Sequence, residues 1–167
     1  MSKKFIRRDA TTGLHTEESA VTAQTADSIV ATDGTGKIPS ALMPTGIGAD
    51  THAFVTSEDL SAGDLVNLWL DTTEKARKAD ASTAGKEAVG FVLAATTSPA
   101  EATVYFEGII TGLTGLTLAA RQYLSASTAG AMTETPVSAT GNVHQYVGKA
   151  LSATEVSFEA TDVTVLV

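Results

Sequence analysis

The stretch Gly112-Leu-Thr-Gly-Leu-Thr-Leu-Ala-Ala-Arg-Gln-Tyr-Leu-Ser-Ala126 separates two segments of the chain that resemble each other. Three short matches occur in the same order on both sides of it. They are Ala-Ser-Thr-Ala-Gly at 81–85 and 126–130, Val-Gly at 89–90 and 147–148, and Val-Tyr-Phe-Glu or Val-Ser-Phe-Glu at 104–107 and 156–159. This shared order predicts two similar β-rich halves that pack into one body.

The composition favours a single β domain with a thin core. A chain of 167 residues is long enough for one ordinary domain with an appendage. Hydrophobic residues make up 43% of it, but the commonest residues are 27 Ala and 26 Thr, and aromatic residues account for only 5%. Thr suits pleated surfaces, whereas Ala supplies little area to bury. Contacts between subunits are therefore expected to add to stability.

The absence of cysteine excludes disulfides and thiolate metal sites. The first eight residues, Met-Ser-Lys-Lys-Phe-Ile-Arg-Arg, are not followed by the apolar run of a signal peptide. No stretch approaches the roughly 20 apolar residues of a membrane span. We therefore expect a soluble protein that is made in the cytoplasm and has no membrane partner.

Charge is distributed unevenly along the chain. Four of the 11 basic residues lie in the first eight positions, whereas residues 9–167 carry 7 basic against 19 acidic residues. An acidic body repels nucleic acid, so contact with a polyanion would have to use the basic tip. The alternative is that the tip is simply a solvated terminus.

Residues 51–167 show short apolar runs between turns, whereas residues 1–50 show little hydrophobic periodicity. The clearest strand is predicted at 65–70. Val66, Leu68 and Leu70 share one face of it, and Leu65 and Trp69 share the other. A strand that is apolar on both faces is typical of the centre of a fold.

Further strands are predicted at 53–56, 75–79, 87–95, 102–110, 122–125, 131–135, 143–152, 155–160 and 163–167. In the strand at 155–160, Val156 and Phe158 are predicted to face inward. About nine to eleven short strands at this spacing indicate a sandwich or a barrel. The sequence therefore predicts a mainly β fold: a β-sandwich or β-barrel body of two similar halves at 51–167, with an extended N-terminal arm at 1–50.

Motifs that would carry chemistry are weak. Asp33-Gly-Thr-Gly-Lys37 resembles a phosphate loop, but it lacks the first glycine, the final Ser or Thr and a following helix, so we predict a turn. His15, His52 and His144 have no neighbours at metal-ligand spacing. We predict no metal and no cofactor.

Catalytic groupings are also missing from the sequence. It contains no Gly-x-Ser-x-Gly motif. Glu155 and Glu159 share a strand face but lie roughly 13 Å apart, too far for a catalytic pair. The several Asp residues lie near turns, where Asp is favoured for its hydrogen bonds to the backbone, and a calcium site among them is the alternative. We therefore predict that the chain is not an enzyme.

Six turn and packing motifs follow one another along the body. They are Leu-Ser-Ala-Gly-Asp-Leu-Val at 60–66, Lys-Ala-Asp-Ala-Ser at 78–82, Gly-Phe-Val-Leu at 90–93, Gly-Leu-Thr-Gly-Leu-Thr at 112–117, Tyr-Leu-Ser at 123–125 and Val-Gly-Lys-Ala-Leu-Ser at 147–152. Their order resembles the β-domain of tailed-bacteriophage structural proteins, particularly capsid decoration (cement) proteins and, in related form, head or tail fibres. Residues 29–39, Ile-Val-Ala-Thr-Asp-Gly-Thr-Gly-Lys-Ile-Pro, are similar to linkers before such domains in phage fibre proteins.

The resemblance implies a homo-oligomer, in the form of a trimer, bound to the major capsid protein on the outside of the phage head. Its role would be to clamp the assembled shell, in the virion and without catalysis. Because the tip is basic, we expect the arm to be anchored on an acidic part of the shell by six residues. They are Lys3, Lys4, Phe5, Ile6, Arg7 and Arg8.

Two alternative functions remain open at the level of sequence. The chain could be a head or tail fibre or spike component that contacts the host, although exposed aromatic residues are scarce. It could also be a carbohydrate-binding β-domain, but the sole Trp, Trp69, lies in the predicted central strand and is expected to belong to the core. Binding of nucleic acid through the basic tip is disfavoured by the acidic body.

Overall fold

The computed structural model describes residues 4–8, 11–19, 30, 32–39, 42–43 and 49–167. Contacts divide the chain into two compact units, Met1–Gly48 and Ala49–Val167. The regular structure of the described residues consists almost entirely of β-strands. The mainly β fold predicted from the sequence is therefore confirmed.

In the N-terminal unit the described strands form a hairpin that the sequence did not predict. Strand β1, Lys4–Arg8, pairs in antiparallel fashion with β2, His15–Ser19. The register places Phe5 opposite Glu18 and Ile6 opposite Glu17. Because Phe5 and Ile6 are adjacent, the strand lacks the apolar–polar alternation by which strands are recognised in sequence.

The first half of the body is a closed five-stranded barrel. Its strands are β3 (Thr51–Thr56), β4 (Leu65–Leu70), β5 (Glu74–Lys78), β6 (Gly90–Val92) and β7 (Glu101–Tyr105). They follow the order β5-β4-β6-β7-β3, and the barrel closes because β3 also pairs with β5. All pairs are antiparallel except β3 with β5.

Strand β4 has the predicted bounds and lies between two hydrophobic clusters. Val66 faces the barrel interior, in a cluster with Val92 and Val104, while Leu65 belongs to a second cluster outside the barrel. Leu70 was wrongly predicted to face the core: it ends the strand and is 71% exposed. Burial on both faces therefore holds for the first residues of β4 only.

The second half of the body is an open five-stranded sheet, accompanied by a small two-stranded one. In the open sheet the strands are β8 (Gly108–Ile110), β9 (Arg121–Leu124), β10 (Met132–Thr133), β12 (Tyr146–Ala150) and β13 (Val156–Phe158). Their order is β10-β9-β12-β13-β8. The small sheet pairs β11 (Val143–His144) with β14 (Thr164–Val165).

The two halves share one topology, as the internal resemblance predicted. Replacing β8, β9, β10, β12 and β13 by β3, β4, β5, β6 and β7 converts the second strand order into the first. The registers agree as well, because Phe91 pairs with Tyr105 as Lys149 pairs with Ser157. The glycines of the two matched Val-Gly pairs, Gly90 and Gly148, lie close to the partner strand. A Cβ at either position would clash with a carbonyl oxygen of that strand.

The Ala-Ser-Thr-Ala-Gly match and the position of the boundary need correction. The Ala-Ser-Thr-Ala-Gly stretch at 81–85 joins β5 to β6, whereas the copy at 126–130 joins β9 to β10, so the two are not equivalent. The second half begins at β8, before the stretch 112–126 that the sequence favoured as the boundary. Correspondingly, the strand predicted at 102–110 is two strands, separated at Phe106 and Glu107.

The second sheet packs its inner face on the outside of the barrel. Leu65 and Phe91 of the barrel share a cluster with Leu124, Val156 and Phe158 of the second sheet. The ring centroids of Phe91 and Phe158 lie 5.2 Å apart. The inward orientation predicted for Val156 and Phe158 is therefore confirmed.

Candidate functional site

The residues predicted to anchor the arm fall largely on one strand. Lys4, Phe5, Ile6, Arg7 and Arg8 make up β1, while Lys3 lies outside the described residues. Ile6 is 70% exposed, and Arg8 is exposed too. Residues 1–19 contain four basic and three acidic residues, so the hairpin is closer to neutral than its first eight residues suggest.

The segment that resembles a phosphate loop is a turn, as predicted. The carboxylate of Asp33 accepts hydrogen bonds from the backbone N–H groups of Thr35 and Lys37 and from the Thr35 hydroxyl. These bonds, the hydroxyl of Thr35 first, hold the pKa of Asp33 below its ordinary value. The acceptor atoms of Asp33 thus stabilise the turn itself, the usual role of Asp at such positions.

Equivalent rows of side chains on the two halves of the body differ in chemistry. In the barrel, Leu65, Phe91 and Tyr105 are cross-strand neighbours on β4, β6 and β7. We call them the barrel row. The second sheet covers this row, and Phe91 stacks on Tyr105 with ring centroids 5.4 Å apart.

The equivalent row of the second sheet has the opposite chemistry. It consists of Arg121, Lys149 and Ser157, cross-strand neighbours on β9, β12 and β13. We call these residues the basic row. Arg121 and Lys149 are exposed, and neither forms an ion pair within the described part of the chain. Two like charges that stand directly opposite each other on a sheet repel, so the pair is unfavourable without an anion.

An aromatic cluster lies next to the basic row. A one-residue register shift between Tyr146 and Gly148 places Tyr146, instead of Val147, opposite Tyr123. The shift has the form of a β-bulge, which redirects a side chain to the other face. The Tyr123 ring lies 6.1 Å from the Tyr146 ring in an edge-to-face arrangement and 5.1 Å from the His144 ring.

These side chains line an open groove of about 390 Å³, which we call the aromatic groove. Its lining residues are Arg121, Tyr123, His144, Tyr146 and Thr161. The Thr161 hydroxyl donates to the Tyr146 carbonyl oxygen, and a His144 ring nitrogen lies 3.4 Å from the Val137 carbonyl oxygen. The guanidinium and the two phenol hydroxyls have no hydrogen-bond partner among the described residues, so they are free to contact a ligand.

A second open groove, on the barrel, has the opposite charge. Its volume is about 560 Å³, and its lining includes His52, Phe54, Glu74 and Glu101. The His52 and Phe54 rings lie 4.7 Å apart. Within the described ranges no group of His, Asp or Glu could hold a metal ion.

Sequence reasoning missed the aromatic groove; it considered Trp69 as an aromatic platform for a sugar and assigned it to the core. Trp69 was expected to belong to the core, but it is only partly buried. However, the Arg77 guanidinium lies 5.2 Å over its ring, which leaves one face less accessible. The available signal was the alternation of Arg121 with Tyr123, and of His144 with Tyr146, around buried glutamines. That pattern marks polar and aromatic side chains on one outward face.

No protein-family model, curated protein or solved structure matches this chain. In the part of the chain that the structure describes, no helix has the length and apolar character needed to cross a membrane.

Proposed function

We propose that this chain is a structural protein of a tailed-phage virion, a decoration protein that binds the outer surface of the assembled head and stabilises the shell. The observation that supports the proposal best is the presentation of β1, a strand of mixed basic and apolar residues, in a unit separate from the body. Ile6 on this strand is 70% exposed. An exposed large apolar side chain beside basic residues suits a contact with an acidic protein surface.

The proposed partners are the major capsid protein and further copies of this chain, assembled as a trimer, with no role for nucleic acid or membrane. The protein would be made in the host cytoplasm and end on the outside of the capsid. It would act by mass action, because a protein that binds only the assembled shell stabilises it by its binding free energy. In the described structure β1 and β2 form a two-stranded sheet, so an outer edge of the hairpin is open to pairing with a strand of the shell.

The test is co-sedimentation of the purified chain with mature heads stripped of it, with unexpanded proheads and isolated tails as controls. We expect saturable binding to expanded heads alone. Deletion of residues 2–8 should abolish this binding. Ile6→Ser should weaken it about tenfold or more, because burial of an Ile side chain contributes roughly 1.5–3 kcal/mol.

Leu70→Ser provides a matched control, since Leu70 is 71% exposed but lies on the barrel. This variant should bind heads like the unchanged protein. If deletion of residues 2–8 left both the affinity and its salt dependence unchanged, the anchoring role of β1 would be wrong. Binding to tails, or to no particle, would remove the decoration role and favour a fibre or spike component.

A further inference from the structure

We propose that the aromatic groove and the adjoining Lys149 bind an anionic saccharide. In this complex a sugar ring lies against the rings of Tyr123 and Tyr146, and its carboxylate or sulfate group lies between Arg121 and Lys149. The inference concerns the second sheet, far along the chain from β1, and does not depend on the decoration role.

The charges argue for an anionic ligand. Residues 49–167 contain only six basic residues against 14 acidic ones. Two of these six, Arg121 and Lys149, are cross-strand partners, and neither is neutralised by a carboxylate of the described residues. Elsewhere in the body, lysines do form ion pairs with carboxylates: Lys75 pairs with Asp71 and Lys78 with Asp64. An anion between two unpaired cations would form charge-assisted hydrogen bonds and relieve their repulsion.

The rings argue for a ligand with an apolar face and many hydroxyl groups. A pyranose ring exposes C–H groups on its faces, which pack on aromatic rings, and hydroxyls at its edge. Tyr123 and Tyr146 suit both parts of the sugar. Each offers an aromatic ring for the C–H face and a phenol hydroxyl, without a hydrogen-bond partner among the described residues, for the sugar hydroxyls. Arg121 adds a planar donor group that suits a carboxylate or a sulfate.

The size of the groove argues for a small ligand. Its volume of about 390 Å³ lies within the range of roughly 300–1,000 Å³ typical of small-molecule sites. A protein partner would need roughly 800 Å² of surface on each side. Single-stranded nucleic acid also stacks on aromatic rings beside cations, but an acidic body repels a polyanion that extends beyond the groove. A short anionic sugar therefore fits best.

The experiment is a titration of the full chain, followed by calorimetry and by tyrosine chemical shifts, with four probes. These are a digalacturonate (carboxylated), a heparin disaccharide (sulfated), lactose (neutral) and a thymidine tetranucleotide. We expect one or both charged sugars to bind at least about tenfold more tightly than lactose or the tetranucleotide. Preference for the carboxylated or the sulfated probe identifies the anionic group, and either result supports the proposal.

Substitutions then locate the site. Arg121→Ala, at an exposed position, should weaken binding of the charged sugar by about tenfold or more, since a hydrogen bond to a charged group is worth roughly 1.5–3 kcal/mol. Tyr123→Ala should weaken it similarly, with its fold checked by thermal unfolding. Lys86→Ala, a change at a basic residue that does not line the groove, should have no effect.

Three results would overturn the proposal. The first is no detectable binding of either charged sugar at about 10 mM, a dissociation constant that corresponds to about 3 kcal/mol of binding free energy. The second is binding of lactose as strong as that of the charged sugars, or preferential binding of the tetranucleotide. The third is binding that Arg121→Ala leaves unchanged.

Discussion

Gln145 joins the two halves of the body, and its replacement should destabilise the fold sharply. The side chain is 3% exposed. Its amide oxygen accepts a hydrogen bond from the Ala88 N–H, and its amide nitrogen donates to the Ala88 carbonyl oxygen, both at 2.8 Å. One amide on the second half thus satisfies both backbone groups of a residue in the first half. We predict that Gln145→Leu leaves those two groups without partners.

The magnitude follows from the burial of Ala88, which is only 2% exposed. A buried donor or acceptor that loses its partner costs about 1–3 kcal/mol. Two such groups at Ala88 give an expected loss of about 2–6 kcal/mol in the free energy of unfolding. For a chain of this length each kcal/mol shifts the melting temperature by about 2–4 °C, so Tm should fall by roughly 4–24 °C.

Urea unfolding measures this loss directly, and Gln122→Leu is the matched control. Gln122 is 1% exposed and lies in the same half, but its amide nitrogen makes only a 3.5 Å contact with the Glu134 carboxylate. Its structural equivalent in the barrel is Val66, an apolar residue. Gln122→Leu should therefore cost about 1 kcal/mol or less. If Gln145→Leu cost no more than Gln122→Leu, the bridging role of Gln145 would be refuted.

Two further predictions concern the shared topology and the loop after β8. Gly90→Ala and Gly148→Ala should each destabilise the fold by about 2 kcal/mol or more in urea unfolding. A Cβ at Gly90 would lie 2.6 Å from the Tyr105 carbonyl oxygen, and a Cβ at Gly148 would clash with the Ser157 carbonyl oxygen. A loss of less than about 0.5 kcal/mol in the free energy of unfolding at either glycine would contradict this close approach. Hydrogen bonds from Thr117, its backbone N–H first at 2.7 Å, hold the pKa of Glu134 below its ordinary 4.5. The lowered pKa means that the carboxylate stabilises the fold above about pH 4.5 and loses this contribution as pH falls through the lowered value. The Tm difference between the unchanged protein and Glu134→Gln should therefore shrink from pH 6 to pH 3. A Tm difference that grew over this range would contradict the stabilising role of the carboxylate.

The sequence predicted those elements whose residues carry their own pattern. Residues 65–70 were recognised as a central strand because both faces begin with apolar residues, and the structure places β4 between two hydrophobic clusters. The alternation around Val156 and Phe158 likewise identified their inward faces. In both cases the alternation of side chains along a single strand is enough to predict which face is buried.

The elements that sequence reasoning missed depend on pairing between distant strands. The basic row joins Arg121 to Lys149, residues brought together only by the register of β9 with β12. The bulge that turns Tyr146 toward Tyr123 is one unpaired residue, for which the sequence carries no distinct pattern. The Ala-Ser-Thr-Ala-Gly match was misleading because it is a sequence pattern without a shared structural position. Small residues recur in turns that are not equivalent.

The two halves of the body do not close in the same way, and the basic row lies where the stacking of layers ends. In the first half, β3 pairs with β5 and closes the barrel around its own interior. In the second half the equivalent strands, β8 and β10, are the two edges of the sheet. Its inner face is covered instead by the barrel row, chiefly Leu65 and Phe91. A third layer would need another apolar row, and the basic row offers charge at the same positions. The stacking of layers therefore ends at the second sheet, and its outer face remains open for a ligand.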